Sequence, residues 1–356
     1  MMIRKVTARA ALAAAAFALA LAACQPAPSP TETPPSPSPA PTLTITPTAT
    51  ADIPTATITM TPPPSATPPA ETPPTATESP AATAPPVALD PLSRLRAAPI
   101  LMNSDTAAVG AIWASGAALG RRADVFTTVG DSNTTNGDFM QVFGLPRDVC
   151  AWGGYDYLRD TVAHFSTPLA TGARTSFTHQ SAAARMGFNT AAVLDPFWAP
   201  SGQCASGESP LMCEYRRSAA SISVIMLGGR DVLALDADTY RANMTQIVGQ
   251  SIAAGVIPAL TTFVVLPERG ELYEKSIAFN LALLDIAESA GIPLINLWAA
   301  AEPLPDHGIG PDRSHLKARV GAYCAFDGAE RELGGTLRNL LTLQMLDRLR
   351  RGLGAS

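Results

Sequence analysis

The chain has 356 residues, 15% of them charged, and 25 Lys and Arg against 30 Asp and Glu give a formal net charge of −5. An acidic chain with no basic stripe is a poor nucleic-acid binder, which excludes that class of partner. No internal repeat of roughly 20–50 residues is visible, which excludes a solenoid.

Residues 1–23 carry Arg4, Lys5 and Arg9, then an Ala/Leu run, then Leu21-Ala-Ala before Cys24. A basic start, an apolar middle and a small-residue end predict an export signal. The apolar run falls short of the ~20 residues a membrane span needs. Its end resembles a bacterial lipobox, which implies cleavage before Cys24 and a lipid on that residue, anchoring the chain to the cell envelope. Loss of the three basic residues moves the formal charge from −5 to −8. Residues 24–87 are almost entirely Pro, Thr, Ala and Ser, with Glu32, Asp52, Glu71 and Glu78 among few charges. Such a segment cannot bury enough apolar surface to offset its ordering entropy, so a disordered, partly polyproline tether is predicted. Residues 88–356 are long enough for one sizeable α/β domain.

Cys150, Cys204, Cys213 and Cys324 remain. An even number in an oxidising compartment predicts two disulfides, with three connectivities open. Cys204 and Cys213 flank a Gly/Ser/Pro-containing loop, which favours that pair and leaves Cys150 with Cys324. No Cys or His has C-x-x-C or H-x-x-x-H spacing, so no metal and no cofactor is predicted.

Within the domain, Val125, Phe126 and Val129 predict a buried strand that breaks at Gly130 and delivers Ser132 into a turn. Residues 136–154 read as loop and 155–164 as helix. Arg185-Met-Gly-Phe-Asn-Thr190 reads as a strand exit entering a helix, with Gly187 as pivot. The β-branched run 221–227 predicts a strand ending at Gly228-Gly229. Helices are predicted over 238–250, 271–290 and 335–351, and strands over 256–265 and 292–298. Strands alternating with helices predict a parallel sheet covered on both faces. Ligands of such sheets bind at the strands' carboxyl ends. The loops there are 130–134, the Gly187 turn, 228–231, 266–270 and 299–315.

Two of those loops hold complementary chemistry. A serine hydroxyl becomes a nucleophile when a base accepts its proton, and histidine suits that task. The last loop holds Asp312-Arg-Ser-His315, whose Asp would reach the imidazole's other nitrogen across one helical turn. The plainer alternatives are a polar turn at Ser132 and a helix-cap or surface histidine at His315. His307 competes, but its acidic neighbour Asp306 is adjacent in sequence and would face elsewhere. His164 and His179 lie outside the strand-end loops and read as structural or solvent-exposed.

Gly130-Asp-Ser-Asn-Thr134 and Asp312-Arg-Ser-His315, with Gly187 and Gly228-Gly-Arg-Asp231 between them, resemble the motif blocks of the SGNH (GDSL-type) hydrolases. The resemblance spans about residues 123–351. It implies a three-layer α/β/α sandwich with a flavodoxin-like parallel sheet of about five strands. It also implies a Ser132, His315, Asp312 triad and an oxyanion hole drawn from Ser132, Gly187 and the third block. That block is usually G-x-N-D, and Arg230 stands where the family has its oxyanion-binding Asn. An Arg there can donate to the same oxyanion or bind an anionic substrate, and can equally point to solvent or pair with Asp231.

Three readings follow. One is a lipid-anchored serine esterase or acylhydrolase acting on a small ester or an extracellular acylated glycan. The second is a catalytically impaired domain of the same fold that binds acylated or acidic glycan. The third is a structural envelope protein. Trp152, Tyr155, Tyr157 and Trp198 read either as a sugar-stacking rim or as core packing.

Overall fold

The computed structural model describes residues 89–355. The predicted export signal, the lipidation site Cys24 and the tether lie outside the described residues.

Chain order begins with α1 (Pro91–Ala97), β1 (Leu101–Met102), α2 (Ala107–Ala118) and β2 (Arg122–Gly130). Then come the four-residue α3 (Ser132–Thr135), α4 (Arg159–Ser166) and a small two-stranded sheet, β3 (Leu169–Thr171) with β4 (Arg174–Thr175). Next are α5 (Thr190–Leu194), α6 (Pro210–Ser218), β5 (Ala220–Met226) and α7 (Ala237–Ala253). The remainder is β6 (Ile257–Thr261), α8 (Glu271–Ala290), β7 (Leu294–Ile295), α9 (Leu297–Ala301) and α10 (Gly334–Gly352).

The main sheet has five strands in the order β1-β7-β6-β5-β2. Four run parallel, and the edge strand β1 is antiparallel to β7, so the sheet is mixed where an all-parallel one was predicted. A two-residue strand entering from α1 needs no crossover helix, which removes the constraint that makes the others parallel. Every residue of β5 and β6 is buried, as expected of central strands with helices on both faces. Phe126 of β2 packs edge-on against Phe165 and Phe177, at 5.3 and 5.1 Å between ring centroids.

The caps explain where the helices start. Asp236 accepts the Thr239 amide at 2.7 Å and opens α7 at Ala237. Gly291, at φ 62°, closes α8 in the left-handed conformation. The predicted strand over 292–298 shrinks to Leu294–Ile295, because Asn296 accepts the Ala299 amide and starts α9. Helix α10 is buried on nearly every side, and its polar residues tie surrounding loops together. Asn339 accepts from Met140 and donates to the Asp138 and Tyr323 carbonyls, and Asp347 accepts from Thr161.

The disulfides join Cys150 to Cys324 and Cys204 to Cys213. Cys213 lies within α6, so the second bridge staples a loop to a helix. Of the four aromatics read as a rim or as core, Trp152 alone is buried, and Tyr157 and Trp198 are exposed. Trp152 is buried against Phe143 and Phe326, whereas Trp198 packs far along the chain against Phe188 and Phe197.

Candidate active site

Strand β2 ends at Gly130, and the chain turns into α3 with Ser132 as its first residue. Gly130 is required by close approach: a Cβ there would stand 2.1 Å from Thr134 Oγ1 and 2.7 Å from the Met226 carbonyl. Its backbone dihedrals are not the reason, since its φ is not positive. Asp131 caps the turn by accepting the Asn133 amide at 2.9 Å.

The loop after α9 brings His315 to the serine. His315 Nε2 lies 2.8 Å from Ser132 Oγ, and His315 Nδ1 lies 2.5 Å from Asp312 Oδ2. The Asp-to-His reach is made by a turn, not by the helical turn predicted from the spacing. Asp312 Oδ1 accepts the amides of Ser314 and His315, and Arg313 takes a positive φ of 59°. An aspartate that binds backbone two and three residues ahead favours this turn over a helix. The hydrogen bonds from the His315 side chain and amide pull the Asp312 carboxyl down to about 2. It is therefore ionised throughout the neutral range, and a carboxylate on Nδ1 selects the tautomer that leaves Nε2 free to accept the serine proton.

Three further residues hold these groups in register, and sequence reasoning gave them no such roles. Asn133 Oδ1 accepts the Leu316 amide at 3.0 Å, tying the serine turn to the histidine loop. Arg338 of α10 donates to the Asn133 carbonyl at 2.6 Å and to Thr134 Oγ1 at 3.1 Å, with its guanidinium 3.6 Å over the Phe139 ring. Burial pushes Arg338 down to about 9, with the charges of Asp131 and Asp138 opposing that fall. Asp231 is buried and accepts both the Thr190 amide, at 2.8 Å, and the Thr190 hydroxyl, at 2.6 Å. It thereby links the loop after β5 to the Gly187 turn. The one signal available for Arg338 was its place beside Leu337 in a helix with leucines around most of its circumference.

Gly187 sits at φ +81°, three residues before α5 begins, and a Cβ there would meet nothing within 4 Å. The segment before it runs beside β2, since Gly130 donates to the Ala183 carbonyl and accepts from Arg185. Neither the Ser132 nor the Gly187 amide has a hydrogen-bond partner among the described residues. Arg230 is exposed and lines, with Ser132, Val265, Arg269, Leu272 and Arg313, a cleft of about 60 Å³. It does not pair with Asp231, which points inward to Thr190, and it forms no ion pair with any described carboxylate.

Burial raises both Asp131 and Asp231 from their ordinary value. For Asp131 the Asn133 amide and the nearby guanidiniums of Arg338 and Arg230 oppose the rise, and for Asp231 the Asp131 charge adds to it.

Among the described residues, Cys204, Glu208 and Cys213 approach one another as a metal site would, but both sulfurs are committed to their disulfide. Among the other histidines, His179 is buried against Glu214, and His307 lies in a 3-10 turn before the Asp312 loop.

No family model matches the chain, and no curated protein matches it. Solved structures do. The psychrotrophic esterase EstA of Pseudoalteromonas sp. aligns at 15% identity and a TM-score of 0.38, covering 64% of this chain and 99% of its own. A GDSL-like lipase of Bacteroides thetaiotaomicron aligns at 14% identity and 0.39, covering 66% and 95%. Axe2, an acetylxylan esterase of Geobacillus stearothermophilus, aligns at 13% identity and 0.37, covering 62% and 93%. These are distant likenesses of fold, and the chemistry below rests on the geometry around Ser132.

Proposed function

We propose that the chain is a serine esterase, exported and held to the cell envelope by a lipid on Cys24, that acts on an extracellular ester such as an acetylated glycan. The observation that carries this reading is the unbroken contact from Asp312 through His315 to Ser132. Ser132 Oγ attacks the ester carbonyl as its proton passes to His315 Nε2. The carbonyl oxygen gains the negative charge, which the amides of Ser132 and Gly187 and the cation of Arg230 stabilise. When the tetrahedral intermediate collapses, the bond to the alcohol breaks and Nε2 returns the proton to that oxygen. Water then attacks the acyl-serine by the same route in reverse, releasing the acid and restoring Ser132. Asp312 orients the ring and stabilises the imidazolium.

Labelling of the full-length protein with a fluorophosphonate probe tests this directly. The wild type is expected to label and Ser132→Ala is not. A well-folded wild type that stays unlabelled would sink the esterase reading.

Arg230 supports a second reading, a domain that binds an acylated or acidic glycan without turning it over. It replaces the side-chain amide expected at the oxyanion, and losing one such donor costs on the order of 100-fold or more in turnover. The variant Arg230→Asn separates the two. A large gain in ester turnover would mark a decayed site, whereas a fall would mean Arg230 serves the oxyanion or the substrate.

A further inference from the structure

A second cavity, of about 590 Å³, adjoins the serine turn. Thr134 and Thr135 of α3 line it, and so do Arg185 and Met186, the two residues immediately before Gly187. It is thus walled by the two segments that would build the oxyanion hole.

Its charge is one-sided. Arg174, Arg185 and Arg217 line it, and no Asp or Glu does. Arg217 is partly compensated by the buried Glu214, 3.6 Å away, but Arg174 and Arg185 have no carboxylate within ion-pair distance among the described residues. In a chain of net charge −5, a concave surface offering two uncompensated guanidiniums and no carboxylate favours an anionic ligand. The remaining lining is mostly amides and hydroxyls, including Gln180, Ser181 and Gln203, with no aromatic ring but that of His179. Such a lining recognises by charge and hydrogen bonds, and a guanidinium fork matches a carboxylate or phosphate with two parallel hydrogen bonds.

We propose that this cavity binds an oxyanion-bearing saccharide, the acidic part of the acylated glycan whose ester Ser132 attacks. The inference deepens the esterase reading and rests on it for the identity of the bound molecule as substrate. Carboxylate and phosphate share the required chemistry, and the test separates them.

Calorimetric titration of the full-length protein with a de-esterified oligogalacturonate, a neutral galacto-oligosaccharide of equal length and inorganic phosphate provides that test. At least one anion is expected to bind and the neutral oligosaccharide is not, with affinity falling as salt is raised. Arg174→Gln with Arg185→Gln is expected to weaken anion binding by about tenfold per arginine. The charge-preserving pair Arg174→Lys with Arg185→Lys should keep part of the affinity, which a misfolded variant would not. Tighter binding of the oligogalacturonate assigns the cavity to uronates, and tighter binding of phosphate assigns it to phosphate substituents. Equal binding of the neutral oligosaccharide, or affinity unchanged in the glutamine pair, would overturn the proposal. None of these ligands carries an ester, so anion binding without serine labelling would sink only the esterase reading. Labelling without anion binding would sink only the cavity.

Discussion

His315 and His179 each touch a carboxylate and a hydroxyl, and the two sets differ in how the groups are placed about the ring. At His315 the carboxylate takes Nδ1 and the hydroxyl takes Nε2, so the imidazole stands between them. At His179 both contacts fall on Nε2, with Glu214 Oε1 at 3.0 Å and Thr127 Oγ1 at 3.1 Å. Thr127 meanwhile donates straight to Glu214 at 2.6 Å. A hydroxyl whose proton already points at a carboxylate has no base waiting for it, and this one is fully buried. The same three functional groups thus give a candidate relay at a strand-end loop and a structural knot beneath it. Sequence spacing cannot distinguish them; which nitrogen faces which partner can.

The largest effect should come from the orienting carboxylate. Asp312→Asn leaves the turn intact but offers an amide to Nδ1, and loss of the ionised partner is expected to lower kcat for ester hydrolysis by up to about 10⁴-fold. A change of less than tenfold would mean Asp312 is ornamental. Its stability effect should be small, because the side chain is half exposed and a solvated pair contributes little. Glu214→Gln should behave in the opposite way. Burial raises the Glu214 carboxyl, but hydrogen bonds from His179, Thr127 and the Ala182 amide outweigh it and hold it below 4.5. A glutamine must turn its NH₂ toward one of those donors, at a cost of about 2–3 kcal/mol. Because the folded-state value is depressed, the advantage of the wild type is complete above about pH 4.5 and is lost as pH falls through that lowered value. Urea midpoints of both proteins from pH 7 to pH 3 read this out, and a gap that stays constant with pH would contradict it.

Much of this architecture was legible because short apolar runs ending in glycine are strong signals. The run at 125–129 lies in β2, that at 221–227 lies in β5 except for Leu227, and the helix read over 271–290 has the same limits in α8. Edges were less legible. Leu101 and Met102 are too few to show a period, and whether Asn296 continues a strand or caps a helix depends on one side chain's hydrogen bond. At the site, Ser132, Asp312 and His315 could be named from motif order, since serine activation needs those groups at strand ends. The ties between segments were invisible, because Asn133 to Leu316 and Arg338 to Asn133 join residues 183 and 205 positions apart. No local pattern encodes such a pairing.

That hidden tie is the next point to break. Asn133→Ala removes the acceptor for the Leu316 amide and frees the histidine loop from the serine turn. Widening the spread of Ser132 to His315 distances should lower kcat about tenfold while KM moves little, since misplacement acts on the reacting geometry. A KM effect alone would place Asn133 in substrate binding.

The smallest expected effect isolates the knot from the relay. Thr127→Val removes the hydroxyl that donates to Glu214 while nearly conserving shape, leaving the buried carboxylate one donor short. This should cost about 1–2 kcal/mol in urea unfolding. Fluorophosphonate labelling of Ser132 should stay at the wild-type rate, because Thr127 points into the interior next to Glu214 and His179. The companion change Thr127→Ser, made with Ser132→Ala, sharpens the test by placing a primary hydroxyl beside His179. No labelling is expected, because the hydroxyl would still direct its proton to the carboxylate and the probe could not reach it. Labelling at that position would mean that proximity to an imidazole suffices, and that the distinction between the two nitrogens carries no weight.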